Sequence, residues 1–467
     1  MSVLNELKPK EVFRYFEEIC AIPHGSGNLK AIGDYCERFA RTHGLRCVRD
    51  ECGNVVLFKD GDPGKEPVIL QGHLDMVCVK EPGCAHDFLH DPLPIATDGA
   101  YVFSRGTTLG GDDGIALAMI LAILADDSLR TPPIEAVFTA DEETSMLGVL
   151  GLDTSVLQGK RMLNLDSETE GAFCVSCAGG ARVVIRKAVQ IEENTAPCTR
   201  VTLTGLAGGH SGTEIHKGHL NAIRILAGLL IAVADVRLVS LSGGKVDNAI
   251  PDTCSAVFAG DAAFLQKAFD ALRPHWQKAE PDIRLGLEPA PQADTCLTAQ
   301  STAAVLALIA QVQDGVQEMS REMDNFVQTS LNLGRCTVDA GGAELHHCLR
   351  SSVDAELQEL IGSLKKRAAK HGAVAETGDA YPAWQYRADS PLRELAVEMF
   401  QKQYGKKPAV EAIHAGLECG IFAGKIPGLD CISMGPDILD IHSPQERLSV
   451  ASTERTYTLV CSILENM

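Results

Sequence analysis

The sequence predicts an α/β fold with more than one folding unit. A chain of 467 residues is longer than one ordinary domain. Up to about Arg182, short apolar segments of strand length alternate with helical patterns, which is typical of a sheet with helices on both faces. Beyond Arg182 the pattern becomes that of α+β layers, and near Trp384 the first pattern returns.

The individual elements follow from apolar residues at helical spacing or in short β-rich runs. In the first segment we predict helices over 11–21 and 29–43, strands over 55–58 and 68–70, a helix from Asp112, and strands over 134–139 and 162–165. In the second we predict strands over 201–204, 238–241, 254–258, 326–333 and 344–350, and helices over 217–233, 261–272, 302–312 and 355–370. A helix over 391–404, one strand and a final helix complete the chain.

The charge balance disfavours some classes of partner. The chain has 42 basic and 62 acidic side chains, a formal net charge of −20. Nucleic acid and anionic lipid both need an excess of Lys and Arg. The longest apolar run, 115–125, is too short to cross a bilayer, and the first residues lack the features of a signal peptide. We therefore expect a cytoplasmic protein that binds neither nucleic acid nor membrane, with its 16 cysteines reduced and mostly buried.

Five motifs rich in carboxylate or imidazole lie just beyond predicted strands or near the carboxyl terminus, where α/β enzymes place their chemistry. They are Gly72-His73-Leu74-Asp75, Gly110-Gly111-Asp112-Asp113-Gly114, Asp141-Glu142-Glu143, Asn164-Leu165-Asp166-Ser167-Glu168 and Ile441-His442-Ser443-Pro444. In an extended chain His73 and Asp75 point the same way, so Asp75 can accept the second imidazole N–H of His73 and fix its tautomer for a metal.

Each motif also has a plain structural interpretation. His73 can be a structural histidine near a turn, Asp112 can cap a helix, and consecutive carboxylates can be solvated on a loop. Taken together, three carboxylates and two imidazoles suit two divalent ions that share a bridging carboxylate. Nitrogen and oxygen ligands without thiolate favour Zn²⁺, with Co²⁺ or Mn²⁺ as alternatives.

The ordered set of motifs resembles the aminoacyl-histidine dipeptidases (Xaa-His dipeptidases, carnosinase-like), within the co-catalytic zinc superfamily of aminoacylases and carboxypeptidases. The resemblance runs from end to end and includes Gly208-Gly209-His210-Ser211-Gly212, Asn248-Ala249-Ile250-Pro251 and His414-Ala415-Gly416-Leu417-Glu418-Cys419-Gly420. It implies a catalytic domain over 1–184 and 384–467, with a mixed sheet flanked by helices. It also implies an inserted α+β lid domain over 185–383 that closes over the substrate. One departure is Asp113, where many relatives carry Asn; Asp113 would add charge beside the metals.

The resemblance assigns roles to single residues. The implied metal ligands are His73, Asp112 and Asp166 for one ion, and Asp112, Glu143 and His442 for the other, with Asp112 bridging. Glu142 would be the general base, and Asp75 would orient His73.

Four further residues are predicted to act on the substrate. His210 is a candidate donor to the developing oxyanion, Arg350 resembles the position that clamps the substrate carboxylate, and Asn248 resembles a substrate contact of the lid. Glu418 could meet a free amino group. The alternatives are turn residues at His210 and Asn248 and solvated surface residues at Arg350 and Glu418. Other histidines, expected at the surface or as caps, are His216, His219, His346 and His347.

The sequence therefore predicts a metal-dependent dipeptidase acting on small unblocked dipeptides, with a preference for a carboxyl-terminal His as in β-alanyl-histidine. Water made acidic by two metals would attack the peptide carbonyl, with Glu142 taking the proton. One alternative is an N-acyl amino-acid deacylase or a broad di/tripeptidase with the same metal centre. Another is an inactive metal-binding scaffold protein, against which the presence of Glu142 beside a full ligand set argues. Monomer and homodimer are both compatible with the sequence.

Overall fold

The computed structural model describes residues 2–233, 236–260 and 262–467. These residues form two compact units. Unit 1 comprises the chain up to Ser176 together with Tyr386–Ala412 and Leu417–Met467. Unit 2 comprises Cys177–Gln385 and Ile413–Gly416.

Helices and strands follow one another along the whole chain. The α-helices are α1 (Lys10–Cys20), α2 (Lys30–Thr42), α3 (Gly111–Ala125), α4 (Glu142–Ser145), α5 (Leu147–Gly151), α6 (Ala222–Ile231), α7 (Ala263–Trp276), α8 (Ala299–Gln311), α9 (Asp354–Lys370), α10 (Pro391–Tyr404), α11 (Glu418–Lys425) and α12 (Val450–Asn466). The strands are β1 (Arg46–Arg49), β2 (Val55–Lys59), β3 (Val68–His73), β4 (Ile95–Thr97), β5 (Tyr101–Ser104), β6 (Ile134–Thr139), β7 (Arg161–Asn164), β8 (Ala172–Cys177), β9 (Gly179–Lys187), β10 (Ile191–Glu193), β11 (Cys198–Thr204), β12 (Gly209–His210), β13 (Arg237–Gly243), β14 (Ala249–Ile250), β15 (Cys254–Ala259), β16 (Arg284–Ala290), β17 (Thr295–Leu297), β18 (Gly315–Met319), β19 (Val327–Asp339), β20 (Gly342–Ser351), β21 (Val374–Tyr381), β22 (Ala409–Ile413), β23 (Asp430–Ser433), β24 (Ile438–Leu439) and β25 (Arg447–Ser449). Among the described residues, no helix is both long and apolar enough to span a bilayer.

Unit 1 is built on an eight-stranded mixed sheet with the order β1-β2-β6-β3-β7-β23-β8-β22. At its centre β6, β3, β7 and β23 run parallel, so their carboxyl ends meet at one edge. Helix α3 is buried from Gly111 to Leu124 because its sequence after Gly114 is apolar on every face. The ring of Phe16 from α1 lies against Gly114, where a Cβ would come within 3.3 Å of it. The α/β fold class predicted from the sequence is confirmed.

Unit 2 is built on a nine-stranded antiparallel sheet with the order β16-β11-β15-β13-β19-β20-β9-β21, and β18 pairs with β19. Apolar side chains of the sheet, such as Val201, Phe258 and Leu345, form its core with Leu226 of α6 and Leu364 of α9. A separate two-stranded ribbon joins β12 to β14. The sheet and its helices form the α+β layers that the sequence pattern predicted.

Some predicted boundaries are wrong. The helix predicted over 217–233 begins only at Ala222, because Gly218 has a φ of +72° and the side chain of Asn221 caps α6 by accepting the N–H of Ile223. Residue 261, the predicted start of α7, lies outside the described residues. Between α10 and α12 one strand was predicted, whereas the structure has β22, α11 and three short strands. The first division between the two compact units lies after Ser176, since β9 pairs with β20 and β21 in the sheet of unit 2; the catalytic and lid domains over 1–184, 384–467 and 185–383 stay a prediction.

Candidate metal centre

The parallel centre of unit 1 places three of the predicted motifs at one edge of the sheet. His73 is the last residue of β3, Glu143 lies in α4 directly after β6, and Asp166 follows β7. Asp112 belongs to the first turn of α3, and His442 lies in the loop between β24 and β25. The structure therefore brings all five predicted metal ligands together within unit 1.

The carboxylate of Asp112 lies between the two imidazoles. Its Oδ1 is 3.2 Å from Nε2 of His73, and its Oδ2 is 3.1 Å from Nε2 of His442. Oδ1 of Asp166 lies 3.6 Å from the same His73 nitrogen, and Oε1 of Glu143 lies 3.1 Å from the same His442 nitrogen. Ligand atoms about 2.0–2.2 Å from one tetrahedral zinc ion would stand roughly 3.3–3.6 Å from each other. The four contacts, at 3.1–3.6 Å, lie within about 0.2 Å of this range, so small outward shifts of the side chains would give both ligand sets the spacing of a zinc site.

The ring of His73 is oriented by the backbone of Asp75. Nδ1 of His73 donates to the Asp75 carbonyl at 2.9 Å, which leaves Nε2 facing the carboxylates, where a metal ion would bind it. The predicted acceptor, the Asp75 carboxylate, is farther away, with Oδ1 at 3.5 Å. The prediction assumed an extended chain through Asp75, whereas β3 ends at His73.

The Asp75 carboxylate instead holds the segment that carries the two glutamates. Oδ1 accepts the backbone N–H of Glu142 at 2.9 Å, and Oδ2 accepts that of Glu143 at 3.2 Å. Ser26 donates its hydroxyl to the same Oδ2 at 2.7 Å. Asp75 therefore connects the end of β3 to the start of α4.

The pKa shifts of the clustered residues indicate an excess of buried negative charge, which bound cations would neutralise. Burial, together with the neighbouring Asp113, raises the pKa of Asp166 well above its ordinary value. Burial and the Glu143 carboxylate raise the pKa of Glu142 to about 7. Burial opposes the charge on His73, yet the carboxylates of Asp166 and Asp112 raise its pKa well above the ordinary value. Two bound dications would favour ionised carboxylates and neutral imidazoles. They would therefore lower these raised pKa values. The residues present fit a pair of divalent metal ions.

Asp113 lies beside the cluster, because it offers an oxygen in a group with His73 and Asp166 whose ligand atoms all lie within 4.8 Å of one another. Its Oδ2 accepts the backbone N–H of His73 at 3.0 Å, and burial raises its pKa well above the ordinary value. Gly72 makes this contact possible, because a Cβ there would lie 2.5 Å from that oxygen. Asp113 therefore supports the end of β3.

Three supporting residues were missed by the sequence analysis. Glu168 offers an oxygen in a group with Asp112 and Asp166 whose ligand atoms all lie within 4.8 Å of one another. Ser26 contacts Asp75 as described, and the next residue, Gly27, donates its N–H to the Asp141 side chain at 2.6 Å. Glu168 was part of a quoted motif, and the Gly-Ser-Gly segment at 25–27 was a turn signal that could have drawn attention to this loop.

The predicted residues His210, Asn248 and Arg350 belong to unit 2. His210 pairs with Ala249 in the β12–β14 ribbon, and the backbone carbonyl of Asn248 accepts the N–H of Ser211 at 2.9 Å. Arg350 of β20 is only 6% exposed, so its interpretation as a solvated surface residue is wrong. Its Nη1 donates to the Tyr381 hydroxyl at 3.3 Å. Burial and the nearby Arg350 guanidinium together lower the pKa of His210.

Glu418 lies in unit 1 and is fully buried at the start of α11, at 0% exposure, so its interpretation as a solvated acid is also wrong. Its Oε2 accepts from Nε2 of Gln71 at 2.6 Å and from the Thr139 hydroxyl at 2.7 Å. Burial, with the Glu142 carboxylate nearby, raises its pKa to about 8. Contact with a substrate amino group stays a prediction for this residue.

The carboxylates and imidazoles clustered beyond the parallel strands of the mixed sheet form a candidate metal centre. The chain belongs to the peptidase family M20/M25/M40, whose sequence profile matches residues 69–466. It is 35% identical over 484 aligned residues to the cytosol non-specific dipeptidase of Escherichia coli K12, with 100% of this chain and 99% of that protein covered.

Two solved structures illustrate the similarity of the fold. The aminoacylhistidine dipeptidase of Vibrio alginolyticus superposes with a TM-score of 0.93 at 34% identity, covering 99% of this chain and 98% of that one. An aminopeptidase from Bacillus cereus shares the fold with a TM-score of 0.58 at 15% identity, over 98% of both chains.

Proposed function

We propose that this protein is a dipeptidase that uses two divalent metal ions, Zn²⁺ in the first instance, to hydrolyse unblocked dipeptides. The observation that carries the proposal is the position of Asp112, whose two carboxylate oxygens face different imidazoles at 3.2 and 3.1 Å. Such a carboxylate can hold two ions side by side. The names of the Escherichia coli and Vibrio alginolyticus relatives support a dipeptide substrate.

The bound ions would supply a polarised peptide carbonyl and an acidified water. Glu142 is the residue proposed to take the proton from that water and to return it to the leaving amine. In the metal-free protein burial raises the pKa of Glu142 to about 7; two bound dications would lower it, so that Glu142 is ionised and can accept the proton. Asp75 keeps Glu142 in place by accepting its backbone N–H.

The substrate residues form the finer part of the proposal. Arg350 would bind the carboxylate of the dipeptide, since a buried guanidinium fork matches a carboxylate with two parallel hydrogen bonds. His210 would donate to the developing oxyanion, and Asn248 would contact the substrate backbone. We propose that a carboxyl-terminal His, as in β-alanyl-histidine, is preferred, and that the protein acts in the cytoplasm like its Escherichia coli relative.

Two measurements on the purified protein test the proposal. Metal analysis should find two equivalents of divalent ion per chain. A panel of β-alanyl-histidine, alanyl-histidine, alanyl-alanine, a tripeptide and N-acetyl amino acids should show hydrolysis of the dipeptides first, abolished by a chelator and restored by Zn²⁺. Preference for the acetylated compounds would replace the assignment by a deacylase, and preference for the tripeptide would replace it by a tripeptidase. A metal-loaded protein without any hydrolysis would indicate a scaffold.

A further inference from the structure

We propose that Glu446 is a positioning residue that fixes the bridging aspartate and the distal histidine of the metal centre relative to each other. This inference rests on the proposed function, since it concerns the two metal ions. Glu446 lies four residues after His442, in the same loop, and is only 2% exposed. Its backbone N–H donates to the carbonyl of Ser443 at 3.1 Å, which closes a turn between the two residues.

The Glu446 carboxylate binds the backbone that leads into α3. Oε2 accepts the N–H groups of Leu109 and Gly110 at 2.7 and 3.2 Å. Oε1 accepts those of Gly111 and Asp112 at 2.7 and 3.3 Å. One carboxylate from a distant loop thus satisfies four consecutive backbone donors, and the last of these belongs to the bridging residue itself.

The start of α3 needs such an acceptor from outside. The first N–H groups of a helix have no partner within it, and Gly110, which precedes α3, has no side chain to cap it. Both oxygens of an ionised carboxylate accept, whereas a glutamine amide would present its NH₂ group to N–H donors on one side. Glu446→Gln should therefore lose two of the four hydrogen bonds to the backbone before α3, and Asp112 should shift relative to His442.

Glu135 provides a matched control in the same unit. It is also buried, and its carboxylate accepts the backbone N–H groups of Gln158 at 2.8 Å and Gly159 at 3.0 Å. It lies near the amino ends of β6 and β7, whereas the metal centre lies beyond their carboxyl ends. Glu135→Gln should weaken the fold in a similar way without moving a metal ligand.

The experiment compares the wild type, Glu446→Gln and Glu135→Gln after metal removal. Zn²⁺ is titrated into each protein by calorimetry, thermal unfolding is followed without metal, and kcat and KM are measured on alanyl-histidine with saturating Zn²⁺. Both variants should unfold at a lower temperature than the wild type. Only Glu446→Gln should bind one of the two zinc ions more weakly, by about 10- to 100-fold, and lower kcat more than it raises KM.

If the glutamine variant does not fold, the same measurements are made on Glu446→Asp, which keeps the carboxylate on a shorter side chain, and the same results are expected. The inference would be overturned if the Glu446 variants bound zinc at both sites as tightly as the wild type and were destabilised only as much as Glu135→Gln. The proposed function would then remain intact. A wild-type protein that binds fewer than two zinc ions would overturn the proposed function and this inference together.

Discussion

Nε2 of His442 lies 3.1 Å from Oδ2 of Asp112, although 330 positions of the chain separate the two residues. The contact joins the first turn of α3 to a loop that precedes the last helix. His442 has a φ of +60°, a conformation uncommon for a residue with a side chain. The contact between these two predicted ligands is made at a conformational cost, and it is the basis for the prediction on Asp112 that follows.

Asp112 and Asp113 are adjacent acids with different expected roles. Asp112→Asn should lose at least one metal ion and lower kcat/KM by more than about 100-fold. An amide has only one oxygen, so it can bind only one of the two metal ions, next to either His73 or His442. Asp113→Asn keeps an oxygen that can accept the His73 N–H, so its kcat/KM should stay within about 10-fold of the wild type. Metal analysis and kinetics on the two variants check this. Equal losses in both would show that the bridging position is assigned wrongly.

Glu142 is expected to act on protons without holding metal. Glu142→Ala should retain both metal ions and lose about 10²- to 10⁴-fold in kcat, since that is the range that general acid–base catalysis contributes. Metal content and steady-state kinetics measured on the same preparation separate the two effects. Unchanged turnover would remove Glu142 from the mechanism, and loss of metal would make it a ligand.

Arg350 is expected to recognise the carboxylate of the substrate. Its Nε has no hydrogen-bond partner among the described residues, although the side chain is buried. The wild type should therefore prefer alanyl-histidine to alanyl-histidinamide, which lacks the carboxylate, by about 10- to 100-fold in kcat/KM. In Arg350→Ala the two compounds should be hydrolysed almost equally. A variant that retains the wild-type ratio would show that the carboxylate is bound elsewhere.

His347 should make the fold sensitive to acid. It is 1% exposed and lies on the same face of β20 as Leu345 and Leu349 of the apolar core of unit 2. Burial lowers its pKa to about 4, whereas the unfolded chain has an ordinary histidine near 6.5. Between these values the unfolded state binds the proton more readily, so stability falls as the pH falls through this window.

His347→Leu removes the titrating group and keeps an apolar side chain of similar size. Between pH 7.5 and pH 5 the wild type should lose roughly 2 kcal/mol of unfolding free energy relative to the variant. Denaturant unfolding of both metal-free proteins at the two pH values measures the difference. A difference that does not change with pH would mean that His347 is not kept neutral by burial.

The strands, and the candidate ligands that the structure brings together, could be predicted because their signals are local. Strand β6 has its predicted bounds, since an apolar run ends abruptly at three acids, and the ends of parallel strands must meet at one edge. His347 was expected at the surface or as a cap, yet its alternation with Leu345 and Leu349 was a signal of burial that the sequence already contained.

Other features depend on contacts between distant segments and had no local signal. In the sequence, Glu446 looks like any acid in a polar loop, because its four backbone partners lie more than 300 positions away. Glu418 at the start of α11 is buried against β3 and β6, where Gln71 and Thr139 donate hydrogen bonds to its carboxylate. The shorter contact of His73 with the Asp75 carbonyl had no local signal either, because the turn after β3 is set by the Asp75 contacts with Ser26 and α4.

The most direct test of two adjacent metals is anomalous diffraction from crystals grown with Zn²⁺, recorded above and below the zinc absorption edge. We expect two peaks roughly 3.5–4 Å apart on either side of the Asp112 carboxylate, one next to His73 and Asp166 and the other next to Glu143 and His442. A single peak, or two peaks that do not share Asp112, would contradict the account.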